Sequence, residues 1–181
     1  MKTVLILTGD AGEALEVMYP YQRFLEAGFE VTLAAPKKGV VKTVVHDFEP
    51  GFGTYTEKPG YRVEATAGFA EVNPAAFDAL YLPGGRAPEW IRNEPGALEI
   101  VRHFFEANKP VGAICHAALI LAAAGVLKGR TVTAYPALKP DVELAGATFK
   151  DAPVVEDNNL VSARAWPDHP YLLRAFMQRL G

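Results

Sequence analysis

The segment KPVGAICHAALILAAAGVL, residues Lys109–Leu127, indicates the fold class of this chain most clearly. Its apolar run Val111–Ile114 predicts a buried strand, and the small and apolar residues after His116 recur at helical spacing. Between the two lies Cys115, which is the single cysteine of the chain. The segment therefore predicts a strand, a sharp turn and a helix, with a thiol at the turn.

The predicted position of Cys115 suggests chemistry. In an open α/β sheet, ligands bind outside the carboxyl ends of the strands. The start of a helix also presents free backbone N–H groups and a partial positive charge, which favour the nucleophilic thiolate. A buried structural thiol is the alternative, because free cysteine is among the most buried residue types.

The rest of the chain repeats the alternation of strand and helix. Further strands are predicted at Thr3–Leu7, Val31–Ala35, Leu80–Leu82 and Thr131–Ala134, with shorter ones at 148–149, 154–155 and 160–162. Helices are predicted between them and at Tyr171–Leu180. This alternation predicts a mostly parallel central sheet in a three-layer α/β sandwich. Residues 37–75 interrupt it and are interpreted as an inserted hairpin with loops, inside one domain that spans residues 1–181.

The overall composition excludes several classes of partner and site. The 181 residues are 50% hydrophobic and carry a net charge of −3, so we expect no nucleic-acid partner. No apolar run approaches the roughly 20 residues that span a bilayer. One cysteine excludes an intrachain disulfide and a multi-cysteine metal site. A free thiol and the lack of a signal-peptide pattern at the N-terminus predict a cytoplasmic protein. Addition of a thiol to a carbonyl needs no metal or organic cofactor, and we expect none.

Several residues near the predicted strand ends are candidates for a site. The pair Gly84-Gly85 either forms a plain turn or lets the backbone approach a ligand and donate to an oxyanion. The backbone N–H of His116 is a second candidate donor. The His116 ring could act as a base or could simply pack at the helix start, because neighbouring side chains often point apart.

Two glutamates are further candidates. Glu16 follows the first strand and could be a solvated first-turn residue, or a buried carboxyl with a raised pKa close to the sulfur. Glu89 could orient His116 as the acid of a triad or lie solvated at a helix start. The run His46–Glu49, HDFE, has a poor set of metal ligands. Aromatic residues in Phe48–Tyr61 could cover a cleft or fill an interface.

Three sequence motifs together resemble the PfpI family, which also includes the ThiJ proteins and the Parkinson-linked DJ protein. They are AICHAA (Ala113–Ala118), LPGGRAPE (Leu82–Glu89) and ALEVMYPYQRFLEAGFEV (Ala14–Val31). The resemblance covers nearly the whole chain and implies a flavodoxin-like fold. This chain departs from the PfpI branch in having Ala117-Ala118 after the Cys-His pair, and in a longer insertion at 37–75.

The resemblance also implies roles for individual residues. Cys115 would be the nucleophile at a strained elbow, and Glu16 the carboxyl that contacts the sulfur. Gly85 and His116 would supply the oxyanion N–H groups. Glu89 matches an acid that reaches the histidine of a neighbouring subunit, which implies a homodimer or a larger homo-oligomer.

Three functions remain open at this stage. The favoured one is a stress-protective enzyme of glyoxalase III or deglycase type, acting on a small carbonyl or on a glycated protein or peptide through Cys115 and Glu16, with a Cys115 that is also oxidised under oxidative stress. The second is an intracellular cysteine peptidase that uses Cys115, His116 and Glu89. The third is a redox sensor or chaperone without enzymatic activity, whose thiol is reversibly oxidised.

Overall fold

The computed structural model describes residues 1–181 and contains eleven strands and six helices, joined by loops and short 3₁₀ turns. The strands are β1 (Thr3–Leu7), β2 (Glu30–Ala35), β3 (Gly39–Asp47), β4 (Thr56–Ala65), β5 (Ala67–Gly68), β6 (Ala79–Leu82), β7 (Val111–Ile114), β8 (Thr131–Val132), β9 (Thr148–Phe149), β10 (Val155–Asp157) and β11 (Leu160–Ala163). The helices are α1 (Ala14–Glu26), α2 (Ala87–Ile91), α3 (Ala97–Glu106), α4 (Ala118–Ala124), α5 (Lys139–Leu144) and α6 (His169–Leu180).

Seven strands form the central sheet in the order β10-β11-β7-β6-β1-β2-β5. Every neighbouring pair is parallel except β10 and β11, which are antiparallel. After β1 the chain builds outward through β2, and it later returns to add β6 and β7 on the other side of β1. The strand order therefore reverses between β1 and β6, the place where α/β sheets bind ligands.

The two faces of the sheet are covered by different helices, because alternate strand residues point to opposite sides. Leu5, Leu7 and Leu80 belong to a buried cluster with residues of α3 and α4. Val4 and Ile6 belong to a second cluster with residues of α1 and α6. The predicted three-layer, flavodoxin-like α/β fold with a mostly parallel sheet is confirmed. No helix is both long enough and apolar enough to cross a membrane.

The segment predicted as an insertion forms an antiparallel hairpin of β3 and β4, with a bulge between Lys42 and Val44. Its strands extend over nine and ten residues, and the predicted inserted hairpin is therefore present. The hairpin lies against the loop that follows β1. There Ala11 N–H donates to the Lys42 carbonyl at 2.8 Å, and Val44 N–H donates to the Gly12 carbonyl at 2.9 Å.

Some boundaries differ from the prediction. The helix predicted directly after Cys115 opens with a 3₁₀ turn over Cys115–Ala117 before α4 begins. The strand predicted at Thr131–Ala134 is limited to Thr131–Val132, because it pairs only with the two residues of β9. These differences shift element ends without changing the layers.

The first residue of α6, His169, is buried and couples stability to pH. Burial lowers its pKa from 6.5 to about 4. The unfolded chain therefore binds the extra proton between pH 6.5 and 4, and the contribution of neutral His169 is lost as pH falls through that range. We compare the free energy of unfolding of His169→Phe with that of the natural protein. Between pH 8 and pH 4.5 this difference should shift in favour of His169→Phe by up to roughly 3 kcal/mol.

Urea unfolding of both proteins at the two pH values measures this difference. The values at pH 8 are the internal control, because they contain the packing effect of the new ring without the titration. An equal difference at both pH values would contradict the assignment of a depressed His169 pKa.

Candidate active site

Three loops meet at the carboxyl edge of the sheet, where the strand order reverses. They follow β1, β6 and β7, and they are joined by backbone hydrogen bonds. Glu13 N–H donates to the Gly84 carbonyl at 3.3 Å, and Arg86 N–H donates to the Ala11 carbonyl at 2.8 Å. These bonds hold the loops after β1 and β6 at a fixed distance, so the groups they carry are preorganised.

Cys115 lies at the turn between β7 and α4 in a strained backbone conformation. Its φ is +60°, a region that costs a residue with a side chain about 1–3 kcal/mol. Only 4% of Cys115 is exposed. The turn is packed so closely against the β6 loop that a Cβ on Gly84 would lie 2.5 Å from the Cys115 Cβ. The strained elbow implied by the family resemblance is present.

The His116 side chain turns back to the sulfur. Its Nδ1 lies 3.0 Å from Cys115 Sγ, and its ring stacks on Tyr135 with centroids 5.1 Å apart. Burial lowers the pKa of His116 from 6.5 to about 4. The imidazole is therefore neutral at pH 7, and its Nδ1 is free to accept the thiol proton. Because neighbouring side chains often point apart, the sequence did not decide whether His116 contacts Cys115. The strained turn brings the two side chains together.

Glu16 is the buried carboxyl on the other side of the site, and only 1% of it is exposed. Its Oε1 accepts a hydrogen bond from Gly84 N–H at 2.9 Å, and it lies 2.5 Å from where a Gly84 Cβ would be. Burial, followed by the charge of Glu13, raises the pKa of Glu16 well above its usual value. Glu16 is accordingly protonated at neutral pH.

Glu13 is a second buried acid, and its interpretation from the sequence as an ordinary surface carboxylate is wrong because the hairpin and the β6 loop cover it. Its Oε2 accepts from Glu16 N–H at 2.8 Å, and this contact caps the start of α1. Burial raises the pKa of Glu13 from 4.5 to about 7. The sequence signal for this contact is the position of Glu13 directly before the helix, three residues ahead of Glu16. The signal is weak because glutamate is not among the residues preferred at helix N-caps. The first turn of α1 thus holds two acids whose pKa values both lie above the ordinary range.

The pKa of Cys115 is shifted in the opposite direction from the one expected at a helix start, where the thiolate should be favoured. Burial, and next the repulsion that an ionised Glu16 would exert on a thiolate, raise the pKa of the thiol well above its usual value. The backbone N–H groups of Gly85 and His116 oppose this rise by hydrogen bonding to the sulfur. The expectation of a resting thiolate is corrected, because loss of solvation outweighs the two N–H groups. The resting site holds a thiol, a neutral imidazole and a protonated carboxyl.

Glu89 makes no hydrogen bond to Cys115, His116 or Glu16. It is exposed in the first turn of α2, and the hydrogen bond of the His116 ring is made with Cys115 and not with Glu89. The structure therefore does not form a Cys115-His116-Glu89 triad within one chain.

The hairpin adds an aromatic cover that sequence analysis left undecided. Tyr55 packs edge-on against His116 and Tyr135, at centroid distances of 5.6 and 5.4 Å. It also lies 4.2 Å from the ring of His46. The cleft-covering interpretation of the inserted aromatic residues is supported for Tyr55, whereas Phe52 and Tyr61 are exposed.

His46 of the HDFE run takes part in a network that ties the hairpin to the β6 loop. Its Nε2 is 2.8 Å from Glu57 Oε1, and Arg86 donates to both Glu57 oxygens at 2.6 and 3.0 Å. The Arg86 guanidinium lowers the pKa of Glu57 to about 2. No group of three or more His, Cys, Asp and Glu side chains is arranged to hold a metal ion.

The elbow cysteine, the histidine that follows it and the buried glutamate occur together in one known protein family. The family model described as the DJ-1/PfpI family matches residues 2–179. The chain belongs to the DJ-1/PfpI family. The resemblance to PfpI proteins seen in the sequence is thereby confirmed.

Relatives within the DJ-1/PfpI family include proteins of the same length and longer ones. A protein from Pyrococcus abyssi named deglycase is 45% identical over 177 residues, which cover 98% of each chain. Protein DJ-1 homolog D from Arabidopsis thaliana is 43% identical over 187 residues, covering 99% of this chain and 48% of the plant protein. The chain thus spans about half the length of that relative.

A solved structure from Anabaena variabilis, a two-domain protein with DJ-1/ThiJ/PfpI-like and ferritin-like domains, has the same fold. Its TM-score is 0.88 at 30% identity, and the match covers 100% of this chain and 48% of that one. The DJ-1/PfpI fold of this protein is therefore shared with a structure determined in a different domain context.

Proposed function

We propose that this protein is a cysteine-dependent enzyme of glyoxalase III or deglycase type that acts on reactive carbonyls. The observation that carries the proposal is the Cys115 thiol, which contacts the His116 imidazole and shares the close surroundings of Gly84 with the buried acid Glu16. The Pyrococcus abyssi relative named deglycase adds support, since it matches along almost the whole of both chains. The substrate would be a small carbonyl compound or a glycated protein or peptide.

The first step of the proposed reaction is addition of the thiol to an aldehyde. The thiol proton passes to His116 Nδ1 as the Sγ–C bond forms, and the π electrons of the carbonyl move to its oxygen. The backbone N–H groups of Gly85 and His116, which already face the sulfur, would stabilise this oxyanion. Return of the proton to oxygen completes a hemithioacetal.

The second step moves a hydrogen between neighbouring carbons, and Glu16 is suited to it. For methylglyoxal, a base takes the C1 proton of the hemithioacetal and a proton is returned to C2, which gives a lactoyl thioester. Water hydrolyses the thioester to lactate and free thiol, so that methylglyoxal and water become lactate with no external oxidant. The ionised fraction of Glu16 would take the C1 proton and the resulting acid would return it to C2, and the raised pKa makes that acid slow to lose the proton to water in between.

A cysteine peptidase is the second candidate, because the same imidazole and N–H groups suit acyl transfer. In this alternative Glu89 would orient His116 across an oligomer interface. The exposure of Glu89 and its lack of a bond to His116 within the chain are compatible with an acid supplied to a neighbouring copy. The alternative therefore requires a homodimer or larger homo-oligomer.

A role as a redox sensor or chaperone receives less support. Reversible oxidation favours an accessible thiol of low pKa, whereas Cys115 is buried and its pKa is raised. We propose further that residues 1–181 act as one domain in the cytoplasm and that the reaction uses no cofactor. Stress protection would then follow from removal of carbonyls.

The carbonyl proposal predicts lactate formation that depends on Cys115. Purified protein incubated with methylglyoxal should produce lactate, and Cys115→Ala should lower the rate by at least about a thousandfold because no hemithioacetal forms. Glu89→Gln should keep the rate within about twofold of the natural protein. Lactate is followed enzymatically, with a fluorogenic peptide assayed in parallel.

The two assays separate the candidates. Peptide cleavage that disappears in Glu89→Gln, without lactate formation, would favour the peptidase. Absence of both activities in protein with a titratable reduced thiol would reject both enzymatic functions.

A further inference from the structure

Tyr55 enters the site from the hairpin, outside the three loops that carry the proposed catalytic groups. It directly precedes β4, and its ring lies edge-on to the rings of His116 and Tyr135. His116 is in turn 3.0 Å from the sulfur. Tyr55 therefore packs against the ring that contacts the nucleophile, and only the His116 imidazole separates the two residues in this chain of contacts.

The surrounding network fixes the position of this ring. His46 and Glu57, which flank Tyr55 on the hairpin, are bonded to each other, and Glu57 is bonded to Arg86 in the β6 loop. Trp166 Nε1 donates to the His46 carbonyl at 2.8 Å and holds the hairpin from the other side. A ring supported in this way is preorganised for recognition.

The phenol of Tyr55 is not used by the hydrogen bonds that connect the site. Those bonds join His46 to Glu57, Gly84 to Glu16, and Cys115 to His116. Burial, then the charges of Glu89 and Cys115, raise the pKa of Tyr55 above 10. Its O–H consequently stays protonated at neutral pH and is available as a donor to a bound molecule.

We propose that Tyr55 is a substrate-binding residue whose phenol O–H donates a hydrogen bond to the second oxygen of a 2-oxoaldehyde. The inference rests on the proposed carbonyl activity and adds a residue that recognises the second oxygen of the substrate.

The chemistry of addition explains why a second donor is needed. When the thiol adds to the aldehyde carbon, the Sγ–C bond forms and that carbon's oxygen takes up the electron pair and then a proton. The N–H groups of Gly85 and His116 serve this first oxygen. The adjacent keto oxygen keeps its lone pairs and needs a donor of its own, which Tyr55 supplies. A simple aldehyde has no such oxygen and gains nothing from Tyr55.

The test measures how well a carbonyl compound protects Cys115 from alkylation by iodoacetamide. Methylglyoxal carries the second oxygen and propanal lacks it. We compare the natural protein, Tyr55→Phe and Tyr61→Phe, which is a matched control because Tyr61 lies on the same hairpin and is 71% exposed. Alkylation without carbonyl gives the baseline for each protein, and lactate formation from methylglyoxal is measured alongside.

The methylglyoxal concentration that halves the rate of Cys115 alkylation should be about tenfold higher for Tyr55→Phe than for the natural protein. A factor of about ten corresponds to the loss of one hydrogen bond. Protection by propanal should be unchanged, and Tyr61→Phe should match the natural protein with both compounds. Equal protection of Tyr55→Phe and the natural protein by methylglyoxal would overturn the inference. So would an equal loss with both compounds, since the ring would then act through packing alone.

The two readouts separate this inference from the proposed function. Weaker methylglyoxal protection in Tyr55→Phe, with no lactate from any of the proteins, would support Tyr55 recognition and reject the enzymatic proposal. Lactate formation by the natural protein together with unchanged protection in Tyr55→Phe would support the enzymatic proposal and reject recognition by Tyr55.

Discussion

Glu16→Gln is expected to abolish carbonyl turnover and at the same time to stabilise the protein at alkaline pH. Gln keeps the acceptor that receives the Gly84 N–H bond of 2.9 Å, but it cannot exchange a proton. Loss of a general acid and base lowers a rate by about 10²–10⁴-fold. We expect lactate formation from methylglyoxal to fall by about a thousandfold.

The stability effect follows from the raised pKa of Glu16. Above pH 4.5 the unfolded chain ionises this carboxyl, whereas the folded protein keeps it protonated because it is buried. The contribution of Glu16 to folding is therefore lost as pH rises toward its folded pKa, by about 1.4 kcal/mol per pH unit. The advantage of Glu16→Gln should accordingly grow between pH 5 and pH 8.

Urea unfolding at both pH values, with lactate assays on the same samples, measures the two effects together. Glu26→Gln is the matched control, because Glu26 lies at the other end of α1 with a side chain that is 78% exposed. It should change neither property appreciably. A Glu16→Gln variant that is less stable at pH 8, or fully active, would contradict the assignment of a buried proton-carrying acid.

Gly84→Ala is expected to destabilise the protein by about 3 kcal/mol and to inactivate what folds. A Cβ there would lie 2.5 Å from both the Cys115 Cβ and Glu16 Oε1, and 2.9 Å from the Ile114 carbonyl oxygen. The β6 loop would have to move away from the elbow. That movement would break the bond from Gly84 N–H to Glu16 and would displace Gly85, a proposed oxyanion donor.

Gly53→Ala provides the control for this substitution. Gly53 lies in the hairpin loop, and a Cβ added there would have no atom within 4 Å beyond its chain neighbours. It should therefore change the free energy of unfolding by less than about 1 kcal/mol and leave turnover intact. Chemical unfolding and lactate formation are the measurements. Natural stability and activity in Gly84→Ala would show that the two loops are not in the close contact described.

Local patterns in the sequence were sufficient for the fold class. The apolar runs of β1, β6 and β7 and the helical spacing after Cys115 reflect local backbone geometry, which adjacent residues specify. Their alternation required parallel strands with helices on both faces. Adding the family motifs also identified Cys115, Glu16, His116 and Gly85 as a set, because the motifs themselves contain these residues.

Other features of the site depended on contacts between distant segments. The distance between Tyr55 and Cys115 along the chain does not predict that they lie close in space. Their proximity follows from the packing of the hairpin on the β1 loop. For Glu89 the sequence allowed either a solvated position at a helix start or a role as the acid that orients His116, and the structure leaves it exposed at the start of α2. Only the packing of loops around the elbow could distinguish these positions.

The sequence by itself determined a parallel α/β sandwich, a single thiol at a strand-to-helix turn, and the residues that could serve it. Only the tertiary structure decided their chemical states. The pKa values of Cys115 and Glu16 are raised and that of His116 is lowered because burial removes water from charged groups. Burial is a property of the packed loops, and residue type and spacing do not encode it locally.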